Sequence, residues 1–148
     1  MELLYLYIGH MDRLLDYHEI SFSNNFDVFF VRETKTLTIR KNEQQKQSIY
    51  GENIIDLKLL AGKNGCGKTT ILSLLGLSPQ NLKNEFEQYS DQSDLCNENA
   101  YDWFALYHLE DNLFALEGYN PHIVFESAVI NPLFWQNYYS VHVLYDFE

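Results

Sequence analysis

The sequence is short of cysteine, with Cys66 and Cys96 as the only two, so it holds no disulfide framework and suits a reducing, cytoplasmic setting. It has no apolar run long enough to span a bilayer. Its first residues, Met1-Glu2-Leu3-Leu4, carry no basic region ahead of the apolar stretch and no small-residue cleavage pattern after it. Basic residues are scarce and unevenly placed: ten Lys and Arg stand against 21 Asp and Glu, and none lies beyond Lys83. Nucleic-acid affinity rests on Lys and Arg displacing counterions, so a chain of net charge -11 with a purely acidic second part is expected to make no strong direct contact with DNA. The five histidines, His10, His18, His108, His122 and His142, are scattered and show no metal-ligand spacing.

What the chain has in quantity is aromatic and apolar residue. Eleven Tyr and ten Phe in 148 residues suit one sheet-rich domain with a real core and argue against disorder. Residues 3–8 read as a short buried strand and residues 18–23 as a half-exposed one. Phe26–Val31 and Thr36–Ile39 read as a hairpin through Arg32-Glu33-Thr34-Lys35, and residues 41–48 as an exposed polar loop. Trp103–Leu109, Leu113–Glu117 and His122–Glu126 pattern as an antiparallel meander over about 102–126, with a last strand at Tyr139–Tyr145. A short helix is suggested around 82–88. Trp103, Trp135 and the Tyr-rich strands suit core packing better than a base-stacking platform.

The chemistry lies between residues 54 and 77. Ile54-Ile55-Asp56-Leu57-Lys58-Leu59-Leu60-Ala61 has the apolar density of a strand covered on both faces. A helix is expected from Lys68, with Ile71, Leu72, Leu74 and Leu75 on its buried face, Gly76 as its C-cap and Pro79 ending it. Between them stands Gly62-Lys63-Asn64-Gly65-Cys66-Gly67-Lys68-Thr69, the P-loop pattern G-x-x-x-x-G-K-[ST]. Its glycines let the backbone turn its N–H groups onto a phosphate, and the helix N-terminus adds partial positive charge. Lys68 would reach the β- and γ-phosphates, and the Thr69 hydroxyl would ligate Mg2+. From average residue usage a chance match in this length is roughly a 1% event. Cys66 fills a position the pattern leaves free. The expected ligand is ATP with magnesium.

The run Gly62-x-Asn64-Gly65-x-Gly67-Lys68-Thr69-Thr70 resembles the P-loop of ABC-type ATPases. The strands around it resemble the N-terminal lobe of the SMC, RecF and SbcC branch, which includes the AAA-family ATPases of DNA repair and anti-phage defence. That resemblance implies an α/β lobe, a mixed sheet with an antiparallel region around a strand–P-loop–helix unit at 54–77. It also implies a role for Thr70 at the α-phosphate and a second ATPase head as partner. The pattern departs from the branch in three places. The basic residue after the first strand is offered only by Arg13, in a shifted register. No Ser-x-Gly signature triplet occurs. The run Val141–Asp146 is interrupted by His142 and does not end in Asp-Glu. Neither Gln80 nor Gln136 has the context of a magnesium-sensing glutamine. The chain is therefore expected to be an incomplete lobe, hydrolysing ATP only when other segments complete it. The alternatives are a non-catalytic nucleotide- or partner-binding module, and a fragment of an ABC transporter ATPase, which Gly51-Glu52 slightly favours.

Overall fold

A computed structural model describes residues 1–11, 15–42, 57–77, 81, 101–119, 123–125, 128–135 and 138–145. Strands β1 (Glu2–Met11), β2 (Leu15–Ser21), β3 (Phe26–Val31) and β4 (Thr36–Lys41) precede helix α1 (Lys68–Gly76). Five more follow it: β5 (Tyr101–Glu110), β6 (Leu113–Tyr119), β7 (Val124–Phe125), β8 (Ala128–Trp135) and β9 (Tyr138–Tyr145). They form a six-stranded sheet, in the order β2-β1-β5-β6-β9-β8, and a three-stranded sheet, β3-β4-β7.

The expected α/β lobe is not what the chain builds. Every pairing in the larger sheet is antiparallel. The only parallel ladder among the described residues is the two-residue contact of β7 with β4. The strand expected to feed the loop is missing over residues 57–61, and residues 54–56 lie outside the described set. The reason is steric and hydrogen-bonded at once. β1 already has β2 on one edge and β5 on the other, so no slot beside it is left for a parallel strand. Residues 57–60 run over the surface instead, exposing Leu57 and Leu59 and burying only part of Leu60.

Period-two alternation explains the layering. On β1 and β5, Tyr5, Tyr7, Phe104 and Leu106 face one side, joined there by Phe26, Leu37 and Ile39 of the small sheet and by Phe114, Leu116 and Val143. Leu6, Ile8, Trp103 and Ala105 face the other side, where Ile71 and Leu74 of α1 cover them. β1 is thus buried on both faces, which is why residues 3–8 read as an unbroken apolar run. Ring packing locks the two sheets together: Phe30 meets Tyr7 at 4.7 Å and Phe104 at 5.0 Å between centroids, both edge-on. The Ile39 N–H also donates to the Tyr145 hydroxyl at 3.1 Å, tying β4 to the large sheet.

The hairpin β3–β4 forms in the expected register through residues 32–35. β5 and β6 pair as expected, but β7 leaves for the small sheet and β9 takes the place beside β6. The suggested helix at 82–88 and most of the 41–48 loop lie outside the described residues. No helix among the described residues is long and apolar enough to cross a membrane.

Candidate phosphate-binding loop

The loop at 62–70 is positioned from both ends. On the approach, the Lys58 ammonium donates to the Phe22 carbonyl, pinning the incoming segment to the β2–β3 connection. Desolvation draws the Lys58 pKa below its ordinary value, and the Glu2 carboxylate acts in the opposite sense. On the exit, α1 is held by Ile71 and Leu74 against the large sheet, while Leu72, expected on the buried face, is exposed. Gly76 is the last helical residue and not the cap. The cap is Leu77, extended, whose N–H donates to the Ser73 carbonyl at 3.0 Å.

Two glycines shape the loop. Lys63 to Cys66 make a turn in which the Cys66 N–H reaches the Lys63 carbonyl at 3.4 Å. Gly65, at its third position, has φ 79°, the positive value that a type II turn requires there. Gly67 is the N-cap of α1 at φ 85°, ψ 9°. A Cβ at Gly67 would stand 2.7 Å from Leu15 Cδ2, so the loop also rests directly on the first residue of β2.

Lys68 closes the loop. Its ammonium donates to the Gly62 carbonyl at 2.8 Å and the Lys63 carbonyl at 2.7 Å, and lies 3.7 Å from Cys66 Sγ. The first helical hydrogen bond is Ile71 N–H to Gly67 C=O at 3.0 Å. Among the described residues nothing accepts from the N–H groups of Gly67, Lys68, Thr69 or Thr70. No acidic residue sits in the first turn to compete for them. These are the orphan donors of a helix start, next to a fixed ammonium: an arrangement suited to an anion with several oxygens. Lys63, Asn64, Cys66 and Thr69 are exposed, and Thr70 is half-buried behind them.

Of the other residues singled out by sequence, those whose side chains are described are not drawn to this loop. Trp103 is buried in the core beneath α1. His10 Nδ1 lies 2.5 Å from Asp16 Oδ1, His18 Nδ1 2.8 Å from the Asp16 carbonyl and His108 Nε2 2.9 Å from the Asp111 carbonyl. No group of three or more His, Cys, Asp or Glu suited to a metal ion occurs among the described residues. Arg13, Gln80, His122, Gln136, Asp146 and Glu148 lie outside those residues, and Trp135 and His142 are described only as backbone on β8 and β9. Leu15 and Lys58 are the positioning residues that sequence reading missed, because neither belongs to the loop pattern.

The chain matches no protein-family model, no curated protein and no solved structure.

Proposed function

We propose that residues 62–70 bind the phosphates of a nucleoside triphosphate, ATP with Mg2+. The observation that carries the proposal is the closure of the loop by Lys68, whose ammonium is fixed by two carbonyls beside uncommitted N–H groups. A preorganised ammonium beside backbone donors is what a polyphosphate needs and what a plain glycine turn lacks. In this reading the N–H groups from Gly67 to Thr70 cradle the β-phosphate. Lys68 neutralises the β- and γ-oxygens, and the exposed Thr69 hydroxyl ligates Mg2+.

The reading rests on the loop and its helix alone, carried on an antiparallel sheet. It makes the chain a nucleotide-binding unit whose hydrolytic turnover requires groups from outside it. A P-loop cradles phosphates and holds one metal ligand, but it does not orient the attacking water. A second ATPase head is the partner we propose for that role, and DNA repair or genome defence is its proposed setting. The free, exposed thiol of Cys66 fits a reducing compartment, so we assign the chain to the cytoplasm. Calorimetric titration of Mg-ATP into wild type and Lys68→Ala tests the proposal. Saturable binding lost in the variant is expected, and equal affinities would remove the assignment.

A further inference from the structure

Among the described residues the two sheets have four edge strands: β2 and β8 in the large sheet, β3 and β7 in the small one. A free edge presents unpaired N–H and C=O groups, and folded proteins blunt it with charge, proline, bulges or shortness. β2 carries Asp16, His18 and Glu19 and is kinked at Tyr17, whose φ is 53°. β8 contains Pro132, and β7 is two residues long. β3, Phe-Asp-Val-Phe-Phe-Val, has none of these devices apart from Asp27, and its ladder with β4 runs without a register shift.

Which groups the β3 edge offers follows from its pairing. The Asn42 N–H donates to the Asn25 carbonyl at 2.8 Å, and hydrogen-bonded pairs alternate along an antiparallel ladder. Asp27, Phe29 and Val31 therefore bond to β4, while Val28 and Phe30 turn their N–H and C=O groups away from it. Those groups of Val28 and Phe30 have no partner among the described residues. On the outward face of the same strand Phe29 is 48% exposed and Val31 47%.

We propose that the β3 edge is a self-association surface, at which a second copy of this chain adds its own β3 antiparallel about a two-fold axis. One register satisfies both residues. Val28 opposite Phe30 of the second copy exchanges both backbone hydrogen bonds, and the axis repeats the exchange. That register places Phe29 opposite Phe29 of the second copy in the non-bonded position, where cross-strand side chains come closest. The half-exposed ring is then covered by its symmetry mate. Charge favours the same surface. Within an acidic chain, the stretch Phe26–Lys41 carries Arg32, Lys35, Arg40 and Lys41 against only Asp27 and Glu33, so the acidic excess that would keep two copies apart is absent from this stretch. Arg40 already stacks over Phe29 at 5.2 Å, covering the ring on its β4 side without blocking the edge. The association needs no nucleotide, and it does not depend on the phosphate-loop reading.

The test is sedimentation velocity of the full chain across the micromolar range without nucleotide, for wild type, Phe29→Lys and Val28→Pro. A concentration-dependent dimer is expected. Phe29→Lys, at an exposed site that leaves the fold intact, should weaken it at least ~100-fold by removing ring burial and opposing like charges. Val28→Pro should abolish it by deleting the edge donor. Because Val28→Pro alone could disturb β3, a second measurement fixes the register. With Cys66 and Cys96 replaced by Ser, Phe29→Cys should form a disulfide-linked dimer on mild oxidation, since the paired Cα atoms fall within disulfide range. Thr38→Cys, one strand further in on each side, should not. A wild type that stays monomeric at every concentration would overturn the proposal and leave the edge to an extended segment of some other protein. A dimer untouched by Phe29→Lys would also overturn it.

Discussion

Replacing Gly65 and Gly67 by alanine, one at a time, tests whether the loop is built as described, because the two glycines are required for different reasons. Both have positive φ, 79° and 85°, and an L-residue held in that region costs about 1–2 kcal/mol. At Gly65 nothing lies within 4 Å of the added methyl, so that cost is the whole effect. At Gly67 the methyl meets Leu15 Cδ2 at 2.7 Å, Cδ1 at 3.1 Å and Cγ at 3.2 Å. Leu15 is 8% exposed, which leaves its isobutyl group little room to withdraw. Overpacking of this kind costs about 1–3 kcal/mol. Gly67→Ala should therefore destabilise by about 2–5 kcal/mol and Gly65→Ala by about 1–2, against a total stability on the order of 5–15 kcal/mol.

Urea unfolding followed by tryptophan fluorescence reads the difference, since Trp103 lies in the core beneath α1. A double-mutant cycle isolates its origin. Leu15→Ala is itself destabilising, but combined with Gly67→Ala it should recover part of the loss, a coupling of about 1–3 kcal/mol. With Gly65→Ala the two effects should simply add. Equal costs for the two glycine variants, or an additive Leu15–Gly67 cycle, would refute the seating of the loop on β2.

Lys68→Ala should reduce Mg-ATP affinity by at least ~10-fold while leaving the chain folded, because hydrogen bonds to charged groups contribute about 1.5–3 kcal/mol; titration calorimetry checks the affinity and urea unfolding the retained fold. The 148-residue chain should bind ATP yet release phosphate no faster than Lys68→Ala does, and robust turnover would make Asp146 and Glu148 the next residues to mutate. Double-stranded DNA should bind weakly at most in fluorescence anisotropy, and a sub-micromolar, salt-dependent affinity would contradict the charge argument. Alkaline unfolding should begin near the ordinary tyrosine pKa of about 10, because Tyr5 ionises more easily unfolded than folded. Burial first, and then its hydrogen bond to Glu19 at 2.8 Å, raise the folded-state Tyr5 pKa. Its contribution is complete below that pH and is lost as pH rises, so Tyr5→Phe should flatten the alkaline limb of a stability–pH curve.

Much of the sheet was legible because alternation and turn chemistry are local. The β3–β4 hairpin, β5, β6 and β9 each follow from residues within a few positions of themselves. Two features were not. β8 went unread: Asn131 and Pro132 sit in its middle, and a proline that a central strand excludes is tolerated at an edge. β7 was placed in a meander because Gly118 to Pro121 reads as a turn. Which sheet receives the next strand depends on the unpaired edge of β4, and no local signal carries that.

The loop shows the same division from the opposite side. Its glycines, Lys68 and the start of α1 were legible because a P-loop pattern encodes backbone angles and a donor at fixed offsets, all within one turn of chain. The strand expected before it was inferred from the apolar density of residues 54–61, and density alone does not choose between a buried strand and a segment lying across a surface. What decides is whether a hydrogen-bonding edge is open, and β2 and β5 close both edges of β1. Leu59, 90% exposed, is the consequence: with no place beside β1, the segment crosses the surface and leaves an apolar side chain in solvent. The segment is held instead by the Lys58 contact with Phe22 and the partial burial of Leu60. Lys58→Met tests this directly. It keeps the aliphatic stem and removes the donor, so it should speed amide exchange in residues 57–67 while leaving β1 and β5 protected. Uniform protection across that segment would show that the anchor lies elsewhere.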